Sequence, residues 1–198
     1  MIVTLGAAKG GVGKSTSAVY LAVGLARRGR TLIVDADPQA SVLSWSREAA
    51  GFPAEVAPWS TRDLATRIHG VAGNYAHIVV DTGRAPGRDD PILRQALLAS
   101  NVVIIPTPPS LMDVREIGRV LALIDEVALL HPLRVRILLT KVRAGTTAAG
   151  EARAGLADLP VMRCQIGLRE SYSKSWGRTP RQLQEYTYLL EELMEEQQ

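Results

Sequence analysis

Lys9-Gly10-Gly11-Val12-Gly13-Lys14-Ser15-Thr16 (KGGVGKST) is the stretch whose reading decides the fold. A short apolar run, Met1 to Leu5, precedes it, and a helical pattern begins near Lys14. Strand, glycine-rich turn and helix in that order make the setting of a phosphate-binding loop. Gly10, Gly11 and Gly13 let the backbone curl tightly and turn its N–H groups inward. The helix adds its free N–H groups and the positive end of its dipole. In this reading Lys14 reaches the β- and γ-phosphates, Ser15 places its hydroxyl on Mg²⁺, and Thr16 touches the α-phosphate. Two features depart from the ordinary G-x-x-x-x-G-K-[ST] pattern: its first glycine falls on Ala8, and a second lysine, Lys9, stands five residues before Lys14.

The remainder of the chain is read outward from this loop. With 198 residues, one domain over 1–198 with one sizeable core is the expectation. No run reaches 18 apolar residues, so no transmembrane span is expected. The first apolar run has no basic segment before it and leads straight into the phosphate loop, so a signal peptide is not expected either. Cys164 is the single cysteine; it cannot close an internal disulfide or supply a thiolate cluster, and reads as a small apolar strand residue. The net charge of +3 is unevenly spread. Residues 181–198 hold Arg181 against Glu185, Glu191, Glu192, Glu195 and Glu196, which leaves the rest of the chain at +7 (22 basic, 15 acidic). Such a body can attract polyanions.

Short apolar runs alternate with longer helical patterns. Strands are expected at Ile2–Leu5, Thr31–Val34, Val56–Pro58 (a short edge strand), Ile78–Val80, Val102–Ile105, Val135–Leu139 and Val161–Ile166. Helices are expected over Lys14–Arg28 with Gly29 as C-cap, and over Ser41 to about Ala50. Others are expected from a Ser60 or Thr61 cap to about His69, over Pro91–Ala99, Leu111–Ala128, Thr146–Gly155, and about Arg181–Glu196. Gly83 to Pro91 reads as a loop, and Pro106, Pro108 and Pro109 as a hard stop after the fifth strand. This alternation gives βαβ units: an α/β fold with a mostly parallel twisted sheet and helices on both faces. Ligands in such sheets lie beyond the C-terminal strand ends, where the phosphate loop, Asp35, Asp37, Asp81 and Thr107 all fall.

Phosphoryl transfer needs charge neutralisation, Mg²⁺ and a positioned water. Asp81 ends an apolar strand and is suited to hold Mg²⁺ directly or through water; Ser15 and Asp37 are the other candidate metal-site residues. Asp37 opens a turn and is the candidate to orient the attacking water, and Asp35 is expected to support the metal site. Lys14 and Asp37 are the candidate catalytic residues read from these positions.

These motifs resemble the ParA/MinD group of deviant Walker A P-loop ATPases. KGGVGKST is similar to that group's signature, Asp35-Ala36-Asp37-Pro38-Gln39 to its first switch, Ile78-Val79-Val80-Asp81-Thr82 to the start of its second, and Pro106-Thr107-Pro108-Pro109-Ser110 to its proline-containing strand end. The resemblance runs through nearly the whole chain in motif order. It implies ATP and Mg²⁺ as ligands and an ATP-sandwiched homodimer in which Lys9 touches the partner's nucleotide, which adds Lys9 to the candidate catalytic residues. It implies that Asp37 acts on the hydrolytic water and that Asp81 to Gly87 senses the γ-phosphate. The length is similar to that of the small partition ATPases without an N-terminal helix-turn-helix domain. Ala85-Pro86-Gly87 departs from the group's common diproline turn.

For the base, Thr140-Lys141-Val142-Arg143 stands where such proteins contact it, making Thr140 and Arg143 the candidates. Arg143 cannot accept a hydrogen bond, which disfavours guanine and favours adenine. The resemblance implies a second ligand, duplex DNA bound without sequence choice, with Arg143, Arg153, Arg169, Lys174, Arg178 and Arg181 as candidate contacts. It also implies a centromere-binding ParB-like or small adaptor protein that stimulates hydrolysis, and a cytoplasmic, nucleoid-associated location. The acidic Glu191-Glu192-Leu193-Met194-Glu195-Glu196 end would be repelled by anionic lipid, so no membrane partner is expected. Partition of a plasmid or chromosome is the leading expectation. An ATPase positioning a protein cargo and a P-loop metabolic ligase or kinase are the alternatives.

Overall fold

The computed structural model describes residues 1–84 and 90–195. Seven strands, β1 (Ile2–Ala7), β2 (Thr31–Ala36), β3 (Glu55–Pro58), β4 (His77–Arg84), β5 (Val102–Thr107), β6 (Arg134–Val142) and β7 (Val161–Gly167), form one sheet in the order β3-β2-β4-β1-β5-β6-β7. Every pairing is parallel. The helices are α1 (Lys14–Ala26), α2 (Ser41–Glu48), α3 (Leu64–Ala72), α4 (Pro91–Leu98), α5 (Leu111–Ala128), α6 (Ala148–Gly155), α7 (Glu170–Ser173) and α8 (Tyr186–Glu195).

Alternate strand residues feed opposite faces, as the period of two requires. Val3, Leu5, Ile33, Val79, Ile104 and Leu138 pack against α1, α2 and α8. On the other face Val103, Ile105, Ile137 and Leu139 meet α5 and α6, while Val34, Ile78 and Val80 meet α3 and α4. Both faces are covered, which is why the central strands read as unbroken apolar runs. The α/β fold expected from the alternation is the observed one.

Several boundaries differ from the sequence reading. β5 runs through Pro106 to Thr107, with Pro106 opposite Leu138. Pairing of β5 with β1 ends at Ile104, so the missing N–H of Pro106 removes no ladder bond on that side. β4 continues past Asp81 to Arg84, so the expected loop begins later; its residues 85–89 lie outside the described residues. Helix α3 starts at Leu64 with Asp63 at the cap. The Thr61 hydroxyl instead donates to Asp63 Oδ1 at 2.5 Å. Helix α8 starts at Tyr186, five residues late, because Gln184 has φ +51° and cannot continue a right-handed helix. Gly29 is no C-cap: Arg27 occupies that position in right-handed geometry. A Cβ on Gly29 would stand 2.7 Å from that of Ala76, so glycine serves a close approach of two segments.

Edge strand β7 is also irregular. A two-residue step on β6, from Ile137 to Leu139, faces a four-residue step on β7, from Val161 to Gln165. The backbone groups of the bulged residues are met from both sides. The carboxylate of buried Glu192 accepts from the N–H groups of Arg163 (2.8 Å) and Cys164 (3.1 Å). Arg153 donates to the carbonyls of Met162 (2.8 Å) and Arg163 (3.0 Å). Cys164 itself is half-buried, and burial, with Glu192 nearby, pushes its thiol up to about 12, which makes it unreactive.

Candidate nucleotide-binding site

The loop between β1 and α1 is held open by two left-handed residues, Gly11 (φ +73°) and Gly13 (φ +96°), a region that side chains rarely enter. Gly13 is also the N-cap of α1 and accepts from Ser17 N at 2.9 Å. From the opposite half of the sheet, the Thr140 hydroxyl donates to the Val12 carbonyl at 2.8 Å and fixes the loop against β6.

A cavity of about 630 Å³ lies over this loop. One wall is Gly10, Gly11, Gly13, Lys14, Ser15 and Thr16; Asp37, Gln39, Ser41 and Arg84 border it; Thr140, Lys141, Ile166 to Arg169, Tyr172, Ser173 and Tyr186 complete it. Residues from the ends of β1, β2, β4, β6 and β7 therefore meet at the C-terminal edge of the sheet.

Lys14 is only 7% exposed. Burial lowers its ammonium pKa from the ordinary lysine value; the carboxylates of Asp81 and Asp37 oppose this, and Arg84 adds to it. Its Nζ has the Lys9 carbonyl at 3.4 Å. A desolvated ammonium at the foot of an open cavity favours an anion entering it.

Asp35 and Asp81 are register partners on β2 and β4, and both are buried. Asp35 is well served. Its Oδ1 accepts from Asp37 N (3.3 Å) and its Oδ2 from Leu43 N (2.9 Å), so it ties the β2–α2 turn together. Burial raises its pKa, and these amides partly offset the rise. Asp81 is completely buried, and neither carboxylate oxygen has a hydrogen-bond partner within range among the described residues. Burial pushes its carboxyl up to about 7. The adjacent Ser15 hydroxyl and Lys14 work against the rise, and Asp35 and Asp37 work with it.

An orphaned carboxylate beside a serine hydroxyl suits a hydrated divalent cation. Among the described residues no three acidic, histidine or cysteine side chains cluster into a cage. A cation here would take most of its oxygens from phosphate and water, as Mg²⁺ does.

Asp37 lies at the cavity rim, and its Oδ1 accepts from Gln39 N at 2.9 Å. It packs against β4 so closely that a Cβ on Gly83 would stand 3.4 Å from that oxygen. Lys9 points away from the cavity and pairs with Asp113 of α5 at 2.6 Å. Arg143 is exposed and does not line the cavity, whereas Thr140 and Lys141 do. Of the expected second switch, Asp81 to Arg84 stand on β4 and Ala85 to Gly87 lie outside the described residues.

The six basic DNA candidates fall into two groups. Arg153 is committed to the β7 carbonyls, Arg169 pairs with Glu185 (2.6 Å), and Lys174 pairs with Glu170 (2.8 Å). Arg143, Arg178 and Arg181 are exposed, with no side-chain partner among the described residues. The segment carrying Arg178 is anchored: Trp45 Nε1 donates to the Arg178 carbonyl at 2.8 Å, and Trp176 packs on Trp45 with centroids 5.2 Å apart. Trp176 is thus a packing residue. No described helix is long and apolar enough to cross a membrane.

Gln39 and Arg84 line the cavity and fall within the two expected switch segments, whereas Leu168, Tyr172 and Tyr186 line it and escaped the sequence reading. These three come from residues 166–186 and carry no signal in the sequence.

Comparison with known proteins places this geometry in context. Residues 3–179 match the model of the CobQ/CobB/MinD/ParA nucleotide binding domain. Over 135 residues the chain is 36% identical to maintenance of carboxysome distribution protein A of Gloeobacter kilaueensis, covering 68% of this chain and 60% of that relative's length. The protein of the same name from Halothiobacillus neapolitanus is 27% identical over 170 residues, 83% of this chain and 78% of its own. Among solved structures, a plasmid partition protein of Borrelia burgdorferi bound to AMPPNP superposes with a TM-score of 0.81 at 21% identity, covering 98% of each chain.

Proposed function

The chain belongs to the CobQ/CobB/MinD/ParA nucleotide-binding family, and from that premise we propose that it is a Mg²⁺-dependent ATPase whose ATP-bound dimer distributes a cargo, with a protein assembly favoured over a plasmid. The orphaned, fully buried Asp81 beside Ser15 and Lys14 is the observation that carries the hydrolytic reading. The two relatives named for carboxysome distribution support a protein cargo. The sequence alone favours plasmid or chromosome partition; these relatives argue for the reverse order.

In this reading the loop amides and Lys14 bind the β- and γ-phosphates, and the α1 dipole adds to their field. Ser15 and Asp81 would hold Mg²⁺, which would supply positive charge to neutralise the phosphoryl oxygens. Asp37 orients a water at the cavity rim. The water oxygen bonds to the γ-phosphorus, the bond from that phosphorus to the β-phosphate bridging oxygen breaks, and ADP and phosphate leave. Lys9 leaves Asp113 to reach the nucleotide of a second copy. The exposed Arg143, Arg178 and Arg181 supply phosphate contacts to a DNA track, and an adaptor on the cargo stimulates hydrolysis.

Deleting the gene from its host and imaging both cargo classes tests this reading. It expects large protein assemblies to cluster while plasmids are retained. Plasmid loss with evenly spread assemblies would instead favour the partition reading.

A further inference from the structure

Glu185 lies just before α8, is 17% exposed on its side chain, and does not itself line the cavity. Yet the groups that its carboxylate meets do. Its Oε1 accepts from Arg169 Nε at 2.6 Å, and its Oε2 accepts from the Tyr172 hydroxyl. Gly167 passes so close that a Cβ there would stand 3.1 Å from Oε1. One carboxylate therefore holds three residues of the same cavity wall.

Its neighbours reinforce the hold. Gln184 has φ +51°, a region non-glycine residues occupy at a cost, so the chain bends sharply just before Glu185. The Gln184 side chain bonds the Ser171 hydroxyl at 3.2 Å, a second tie to α7. On the far side, the Tyr172 ring packs edge-on against Tyr20 (5.1 Å) and Tyr186 (5.5 Å), and the Tyr186 hydroxyl lies 3.0 Å from that of Ser17 on α1.

This wall comes from a different part of the chain from the phosphate loop. A triphosphate on Gly10 to Thr16 leaves the rest of a nucleotide to extend into the remainder of the cavity. There the lining is Ile166, Leu168 and Tyr172 with Gly167, and the polar groups beside them are Arg169 and Ser173. Apolar and aromatic surface with a few polar groups suits a nucleoside and not a phosphate chain.

We propose that Glu185 is a positioning residue for the nucleoside end of the ATP site: by holding Arg169, Tyr172 and the Gly167 backbone together, it preforms the wall on which the base and ribose rest. The inference rests on the ATP reading above. The carboxylate is charged in this role: burial works against that, but the Tyr172 hydroxyl and Arg169 hold it below its ordinary value. Charge-assisted bonds of this kind lock a wall before the ligand arrives, so that binding does not have to order it.

The test is calorimetric titration of the full chain with Mg·ATP and with Mg·tripolyphosphate, which fills only the phosphate loop. Glu185→Gln keeps the shape but not the charge. It is expected to weaken ATP by about tenfold while tripolyphosphate affinity stays within about twofold. Tyr172→Phe, which removes one hydroxyl and leaves the carboxylate, should weaken ATP by about threefold with the same silence toward tripolyphosphate. It decides the matter should the Glu185 variant fail to fold. Equal weakening of both ligands would mean a merely structural role and overturn the proposal, as would unchanged ATP affinity. A native chain that binds neither ligand would overturn the ATP reading itself, which separates the two failures.

Discussion

Lys9 Nζ lies 2.6 Å from Asp113 Oδ1, an ion pair that spans from the phosphate loop to the first turn of α5. Asp113 is preset for it: the Ser110 hydroxyl donates to its Oδ2 at 2.5 Å and accepts from its N–H at 3.1 Å. The first lysine of KGGVGKST, Lys9, is thus occupied within its own chain, while Lys14 serves the cavity.

If Lys9 serves a second copy of the chain, the pair with Asp113 competes with dimerisation. Lys9 is half exposed, and such pairs are worth at most about 1 kcal/mol. Asp113→Ala should therefore tighten the ATP-dependent dimer by up to about fivefold, and Lys9→Ala should abolish it. Sedimentation velocity with a slowly hydrolysed ATP analogue measures both. A weaker dimer in Asp113→Ala would show that the pair supports the interface.

Asp37 borders the cavity with one oxygen committed to the Gln39 amide. Removing it should spare binding and slow chemistry. Asp37→Ala is expected to keep Mg·ATP affinity within about threefold and to slow single-turnover phosphate release by on the order of 100-fold. Loss of binding in step with rate would make Asp37 a ligand of the bound complex instead.

Asp81 makes the empty protein sensitive to pH. Its carboxyl is raised to about 7 from an unfolded value near 4, so the native state binds more protons between those limits. Its contribution to stability is then full below about pH 4 and is lost as pH rises through about 7. Asp81→Asn should stabilise the nucleotide-free protein at pH 8 by roughly 2 kcal/mol and flatten that part of the profile. Thermal unfolding from pH 5 to pH 8 reads it. A native profile that rises across this window with no change in Asp81→Asn would show that Asp81 is not the responsible group.

Gly29 packs against Ala76 at a distance no side chain tolerates. Gly29→Ala should cost roughly 1–3 kcal/mol of stability through overpacking, with ATP affinity unchanged. Urea unfolding measures the cost, and a neutral result would mean that the two segments separate easily.

What the sequence made legible was local. KGGVGKST needs only a strand before it and a helix after it, and the carboxylates of β2 and β4 reach the site because those strands end beside the loop. Buried apolar runs marked the central strands β1, β2, β4 and β5, which are covered on both faces and leave no polar alternation to misread, whereas edge strand β3 has no buried residue and β7 is buried only in part. The rest depends on partners far apart in the chain. Nothing near Arg153 or Arg169 signals that one is spent on a bulge in β7 and the other on Glu185. Nor does the pattern around Pro106 reveal that the neighbouring strand has already ended beside it. The late start of α8 is a backbone event at Gln184, where the apolar periodicity continues unbroken.

The most direct test of the account is titration of the native chain and of Lys14→Ala with Mg·ATP, followed by calorimetry. Lys14 is the buried cation of the cavity wall. The account predicts saturable one-site binding by the native chain and at least about a 100-fold loss in the variant, whose fold is otherwise kept. Equal affinity in the two proteins, or no binding by a folded native chain, would contradict it.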